Sequence, residues 1–324
     1  MSEPILKVEN LSLIYKTKKG NVNALNDINF EIEAGSSLGL VGESGCGKTT
    51  MASSIMQLLA DNAEIKSGKI FFKGIDLLSL SEKELRKYRW NGFSMIFQAA
   101  MNAMAPVYTV GDQIIEAIQL HSPATTYTEA EKKVADLFDL VGLDPSRISH
   151  YPHEYSGGMK QRAVIAMALA CDPDLIIADE PTTALDVIVQ DRILKRINQV
   201  KEKLGMSMIY ISHDIAVIAE VSKTMGVMYA GEMVEFGSTV SLFKKPIHPY
   251  TAGLMSSFPS IVGEKVELQV IPGEPPNLLQ PPSGCKFHPR CKYASEKCKT
   301  ETPPIYVSKE DNAHIAKCWH PLND

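Results

Sequence analysis

The chain has 324 residues, 44% hydrophobic and 22% charged, with a formal net charge of −5. That is material for one large or two modest domains with a buried core, and it argues against a generic nucleic-acid binder. Met1-Ser2-Glu3-Pro4-Ile5-Leu6 lacks the charged-then-apolar order of a signal peptide, and no stretch approaches the roughly 20 apolar residues of a membrane span, so the expectation is a cytosolic chain or one held at a membrane through other proteins.

Residues 5–15 and 25–33 alternate apolar and polar (Leu11, Leu13, Tyr15; Ile28, Phe30, Ile32), which predicts exposed strands. Ser37-Leu38-Gly39-Leu40-Val41 is a nearly apolar run suited to a buried parallel strand. It feeds Gly42-Glu43-Ser44-Gly45-Cys46-Gly47-Lys48-Thr49, the pattern G-x-x-x-x-G-K-[ST], with a helix predicted from Thr49 to Ala60. Glycines let backbone N–H groups turn inward around phosphates, Lys48 reaches the β/γ oxygens, and the Thr49 hydroxyl can ligate Mg²⁺. Cys46 reads as a small residue filling the loop, not as a reactive thiol.

Ile70-Phe71-Phe72 predicts another strand, Ser81-x-x-Glu84 a capping box on a short helix, and Met95-Ile96-Phe97 a return to the sheet ending at Gln98. From about 99 to 157 the pattern turns helical. Val110–Leu120 is one candidate helix, and Thr128-x-x-Glu131 is read as the cap of another carrying Val134, Leu137, Phe138 and Val141. Ser156-Gly157-Gly158-Met159 then opens a helix, a second N-terminus suited to an anion.

Leu175-Ile176-Ile177-Ala178 predicts a buried strand with Asp179-Glu180 at its carboxyl end, where open α/β sheets place their ligands. There Asp179 can hold Mg²⁺ through its waters and Glu180 can polarise an attacking water. A long helix follows, with Ile193, Ile197, Val200 and Leu204 on one face, and a strand over Ser207–Ser212 ends before His213.

Beyond about 240 prolines concentrate, and Cys285, Cys291, Cys298 and Cys318 crowd the last forty residues. In a reducing compartment such a cluster points to metal before cross-links; four thiolates suit tetrahedral Zn²⁺ or an iron–sulfur cluster, with His288 and His320 as substitute zinc ligands, and four free thiols in a proline-rich tail are the alternative.

The phosphate loop, Tyr155-Ser156-Gly157-Gly158-Met159-Lys160-Gln161-Arg162 and the acidic pair together resemble the ATP-binding subunit of an ABC transporter. Lys245-Pro246-Ile247-His248-Pro249-Tyr250-Thr251, Ile271-Pro272-Gly273-Glu274-Pro275-Pro276 and Phe287-His288-Pro289-Arg290-Cys291 look like the C-terminal region of dipeptide/oligopeptide importer ATPases. The resemblance implies an α/β fold, a P-loop NTPase core of the ABC ATPase type with an antiparallel β subdomain, a helical insertion at about 99–157 and a loop-rich appendage. It divides the chain into 1–240 and 241–324.

The resemblance further implies that Tyr15 stacks on adenine and that ATP is held by Gly42, Ser44, Gly45, Cys46, Gly47, Lys48, Thr49 and Thr50. Thr49, Gln98 and Asp179 would serve Mg²⁺, and Glu180, His213 and Gln98 hydrolysis. Ser156, Gly157, Gly158 and Met159 would cap ATP held by a second ATPase subunit, related or identical, with Asp186 at the dimer contact. The other implied partners are two membrane permease subunits and an extracytoplasmic solute-binding protein, with no nucleic acid, at the cytoplasmic face of the membrane. The cysteine spacing resembles that of family members with a [4Fe–4S] cluster, Zn²⁺ being the alternative. Two departures stand out: Ala99-Ala100-Met101-Asn102-Ala103-Met104-Ala105-Pro106 replaces the usual Asp-Pro-Met-Thr-Ser-Leu-Asn-Pro, and Tyr155 stands where leucine is usual. The expected function is ATP-driven import of dipeptides or oligopeptides. Import of nickel or oligosaccharides, a non-transport ABC ATPase and a purely structural ATP-binding module are the rivals.

Overall fold

A computed structural model describes residues 3–98, 103–181, 187–256 and 271–323. The chain forms two compact units, one built from residues 1–5, 33–36 and 77–210, the other from 6–32, 37–76 and 211–324.

The second unit begins with a hairpin, β1 (Leu6–Thr17) and β2 (Gly20–Ile32), extended by β4 (Ala63–Phe72) and β5 (Ile75–Asp76) into an antiparallel sheet in the order β2-β1-β4-β5. The predicted alternation holds along β1 except at Asn10, whose φ of 46° accompanies a register shift between Val8 and Leu11, and at Ile14, which is buried beside Leu13 where the register shifts again. Past Asn10 the pattern resumes, so Leu6, Val8, Leu11 and Leu13 are all buried. Burial of each such side chain contributes about 1.5–3 kcal/mol.

The other sheet segment of this unit contains β3 (Ser37–Val41), parallel to β9 (Thr224–Tyr229), which pairs antiparallel with β10 (Glu232–Ser238). The β9–β10 turn is Ala230-Gly231 with both φ values positive (49° and 80°), the arrangement that matches strand twist in two-residue hairpins. Two short strands, β11 (Ile305–Val307) and β12 (Ile315–Lys317), continue the antiparallel pairing from β10. None of β9 to β12 stands out in the sequence, because β9 and β10 are buried along most of their length and so show no alternation.

Helix α1 (Lys48–Met56) ends four residues before the predicted Ala60, because Gln57 adopts a left-handed conformation (φ 51°) that terminates it. In the first unit, α2 (Glu82–Tyr88) starts at the predicted capping box, with the Ser81 N–H donating to Glu84 Oε2 at 2.8 Å. Strand β6 (Phe93–Ile96) pairs parallel with β7 (Leu175–Asp179), and β8 (Ser207–Ile211) follows in the order β6-β7-β8.

Between β6 and β7 lie α3 (Val110–His121), α4 (Tyr127–Val141) and α5 (Gly157–Leu169); α3 and α4 fall within the stretch of about 99–157 expected to be helical, and α5 follows it. The cap of α4 is Thr126 with Glu129, not Thr128 with Glu131: the Thr126 N–H donates to Glu129 Oε2 at 2.9 Å. Both pairs fit the same four-residue pattern. The frame in which Ala130, Val134, Leu137, Phe138 and Val141 are buried is kept. On α6 (Val187–Leu204), Ile193, Ile197 and Val200 are buried as expected, but Leu204 is 46% exposed at the last position.

Candidate functional site

The phosphate loop leaves β3 at Gly42, which is buried with φ 148°. A Cβ there would sit 2.1 Å from the Met228 carbonyl, so only glycine lets the chain pass β9. Gly47, with φ 109°, directly precedes α1, and a Cβ on it would meet the Ala24 carbonyl at 2.7 Å. No side chain caps α1, so its first N–H groups lack the usual capping partner. The Lys48 ammonium is tied to the loop, donating to the carbonyls of Gly42 at 2.6 Å and Glu43 at 3.1 Å. Ser44, Gly45 and Thr49 are exposed on this loop.

The Cys46 N–H donates to Glu43 O at 3.2 Å and its own carbonyl accepts from the Gly231 N–H at 3.0 Å. Its side chain is buried and burial pushes its thiol pKa up, which suits the predicted role as loop filler. Tyr15, half-buried on β1, has its hydroxyl 3.3 Å from that of Thr50 on α1. His213 is exposed between β8 and α7 (Ile215–Val221), directly before the Asp214 cap, whose Oδ1 accepts the Ala216 N–H at 2.9 Å.

In the first unit the structure brings Gln98 and Glu180 together across 82 residues of sequence: Gln98 Nε2 donates to Glu180 Oε2 at 2.9 Å. They are brought there by parallel β6 and β7, whose ends lie side by side. Asp179 is buried at the end of β7, and Glu180 is half-buried with φ 47°. A left-handed glutamate costs about 1–2 kcal/mol, a strain of the kind that gathers at functional sites.

Ser156 caps α5, accepting the Met159 N–H at 3.4 Å; Ser156 and Gly157 are exposed, Gly158 and Met159 half-buried. Tyr155, the departure from leucine, is buried and its hydroxyl donates to Arg147 O at 2.6 Å, fixing the entry to α5. Burial pushes its phenol to about 12. Tyr155→Phe leaves that carbonyl without this donor. A loss of about 1 kcal/mol is expected, read as a Tm lower by about 2–4 °C in thermal unfolding, with affinity for Mg-ATP unchanged. Asp186 lies outside the described residues.

The metal-cluster expectation is overturned. Among the described residues no group of three or more Cys, His, Asp or Glu side chains is arranged to hold a metal ion. Cys285, Cys291, Cys298 and Cys318 are free thiols. Burial pushes the thiols of Cys285 to about 11 and Cys318 to about 12, and that of Cys291 upward. The two substitute histidines are engaged elsewhere, His288 Nδ1 3.0 Å from Cys285 O and His320 Nε2 2.8 Å from Ser295 Oγ.

Order in the proline-rich tail has other sources. Phe287 packs against Tyr229, Tyr250 and His248 with ring centroids 5.2, 5.2 and 5.8 Å away. The Cys285 N–H donates to Cys298 O at 2.8 Å. Fully buried Glu235 accepts the Ile247 and His248 N–H groups, both at 2.8 Å, and its Oε1 is 2.6 Å from His314 Nε2. Burial holds His248 down to about 4, so it stays neutral, and its Nδ1 accepts the Tyr250 N–H at 3.0 Å. Sequence reasoning missed these groups; the only signal was that His248, Tyr250 and Phe287 fall inside the C-terminal segments singled out by resemblance.

A loop with Gly42, Gly45 and Gly47 that opens onto a helix whose first residue is a lysine is how P-loop nucleotide-binding proteins receive phosphate, and ATP with Mg²⁺ fits these donors. The exposed Ser-Gly-Gly helix start narrows that class to ATP-binding cassettes.

The comparisons agree. The family model described as ABC transporter matches residues 25–183, and that of the oligopeptide/dipeptide transporter C-terminal region matches 234–298. The chain is 43% identical to the oligopeptide transport ATP-binding protein OppD of Haemophilus influenzae, over 98% of this chain and 97% of that one. It is 44% identical to the dipeptide transport ATP-binding protein DppD of Bacillus subtilis, over 98% and 95%. A solved dimeric structure of a post-hydrolysis state of an ATP-binding cassette, MJ0796, bound to ADP and Pi, is similar with a TM-score of 0.65 at 27% identity over 72% of this chain and 98% of that one. This chain belongs to the ABC transporter family, in its branch of oligopeptide and dipeptide transport ATP-binding proteins.

Proposed function

We propose that the chain is the ATP-hydrolysing subunit of an importer for oligopeptides or dipeptides. The observation that carries this is the joint presence of the phosphate loop, with Lys48 tied to Gly42 O and Glu43 O, and the Gln98–Glu180 pair. Near-full-length similarity to peptide-transport ATP-binding proteins supports the substrate class.

The loop N–H groups from Ser44 to Thr50 and the Lys48 ammonium would bind the phosphates, and Tyr15 would stack on the base. Thr49, Asp179 and Gln98 would hold Mg²⁺, which neutralises developing phosphate charge. Glu180, oriented by the Gln98 amide, would take a proton from the attacking water, and His213 would contact the γ-phosphate. Ser156, Gly157, Gly158 and Met159 would bind the γ-phosphate of ATP held by a second such subunit, with Asp186 at the contact between the two.

Among the described residues no helix is long and apolar enough to cross a membrane. From its membership of the ABC transporter family we assign the chain to the cytoplasmic face of the membrane, held there by two permease subunits that an extracytoplasmic binding protein supplies with solute. Residues 1–240 would carry the ATPase and 241–324 the appendage. The test is isolation of the chain from membranes with its bound subunits, followed by reconstitution in proteoliposomes. Mg²⁺-dependent ATP hydrolysis accelerated by a peptide-loaded binding protein, with peptide uptake, is expected. Hydrolysis stimulated only by nickel or an oligosaccharide would reassign the solute, and ATPase activity with no permease bound would reject the transport reading.

A further inference from the structure

The phosphate loop is braced from outside by the C-terminal appendage, and the brace converges on one residue, Glu43. Arg290 makes a two-pronged ion pair with it: Nη1 donates to Glu43 Oε2 at 2.6 Å and Nη2 to Oε1 at 2.9 Å. The guanidinium is itself held in place. Its Nε donates to Pro272 O at 2.7 Å, Nη1 lies 3.3 Å from the Tyr229 hydroxyl, and its carbon stands 5.7 Å from the centroid of the Tyr229 ring. The Arg290 side chain is 6% exposed and that of Glu43 27%. Glu43 is held at a second point, its N–H donating to the buried Tyr250 hydroxyl at 3.0 Å.

Tyr250, Pro272 and Arg290 come from three separate C-terminal segments, and all three bear on the residue that follows Gly42 in the loop. The consequence for nucleotide binding is direct. The Glu43 N–H is committed to Tyr250, so the Glu43 amide is turned away from the inward-facing set that cradles phosphate. The Glu43 carbonyl meanwhile accepts from both Lys48 and the Cys46 N–H. Fixing Glu43 therefore fixes the position of the lysine and the curvature of the loop. A fork of donors matched to a carboxylate supplies orientation that a point charge does not.

We propose that Arg290 is a positioning residue for the phosphate loop, acting through Glu43, and that the appendage thereby sets the affinity of this chain for ATP. The inference rests on the ATP-binding reading above. The hydrogen bonds of Arg290 run to Glu43, Pro272 and Tyr229, so its effect falls on the loop that binds phosphate and not on the chemical step.

The test is titration of the full chain with Mg-ATP, alongside steady-state hydrolysis, for Arg290→Met, Arg290→Lys, Glu43→Gln and the Arg290→Met/Glu43→Gln double variant. Arg290→Met is expected to raise Kd and KM about tenfold, equivalent to about 1.4 kcal/mol, with kcat within about twofold of wild type. Arg290→Lys keeps the charge without the fork and recovers only part of the loss. Glu43→Gln mimics Arg290→Met, and the double variant is no worse than the more affected single variant, as expected for one shared interaction. Should Arg290→Met fail to fold, Glu43→Gln against wild type carries the same comparison. Unchanged Kd in Glu43→Gln, additive losses in the double variant, or a fall in kcat at constant KM would overturn the proposal while leaving the ATPase assignment standing. A wild-type chain that binds no ATP would remove both.

Discussion

Glu180→Gln is expected to lower Mg-ATP hydrolysis by about 10²–10⁴, the range for losing acid–base assistance, while ATP binding survives. The amide keeps the shape of the side chain and a carbonyl oxygen to accept from Gln98 Nε2, now 2.9 Å from Glu180 Oε2, but it cannot take a proton from water. With hydrolysis blocked, the ATP-bound pair of subunits should persist, visible as a dimer in size-exclusion chromatography with Mg-ATP. Turnover near the wild-type rate would remove Glu180 from the role of general base.

Lys48→Ala and Ser156→Arg should fail in different ways. Lys48 is 7% exposed and inside the loop, so its loss removes a direct charge-assisted contact with phosphate and the ties to Gly42 O and Glu43 O. Affinity of the single chain for Mg-ATP should drop by about 10²-fold or more, the cost of deleting one member of a desolvated charged pair. Ser156 is exposed at the start of α5, and an arginine there should leave single-chain affinity within about twofold of wild type, the ordinary range for a surface change. Hydrolysis by assembled subunits should nevertheless be abolished, because the bulk obstructs closure on the other subunit's ATP. Equilibrium titration of the isolated chain separates the cases: equal weakening by both substitutions would show that Ser156 acts on its own chain.

Much of the nucleotide site was legible because its chemistry is local. Gly42 through Thr49 must be contiguous for one loop to present successive N–H groups, so spacing alone reveals it. Ser156-Gly157-Gly158 is likewise a local helix start. The strand carrying Asp179 could be read from its apolar run, and its carboxyl end marks where a ligand sits. Helix boundaries were less legible: Thr126–Glu129 and Thr128–Glu131 offer the same cap pattern, and only the hydrogen bonds that Thr126 and Glu129 exchange choose between them.

The cysteine expectation failed for a related reason. Clustering in sequence gives four thiols nearby, but ligation needs side chains converging as thiolates. Among the described residues the side chains do not converge in that way, while aromatic packing around Phe287 and the hydrogen bonds of Glu235 order the segment.

By itself the sequence determined the class of fold, the phosphate loop, the acidic strand end and the family, each of which is written in residues adjacent along the chain. Tertiary structure alone decided that Gln98 meets Glu180 across 82 positions, that Tyr155 anchors to Arg147, and that Arg290 grips Glu43 across 247. Hydrogen bonds and ion pairs of that separation depend on angles and distances of a few tenths of an ångström, which strand pairing and core packing set and no spacing rule encodes.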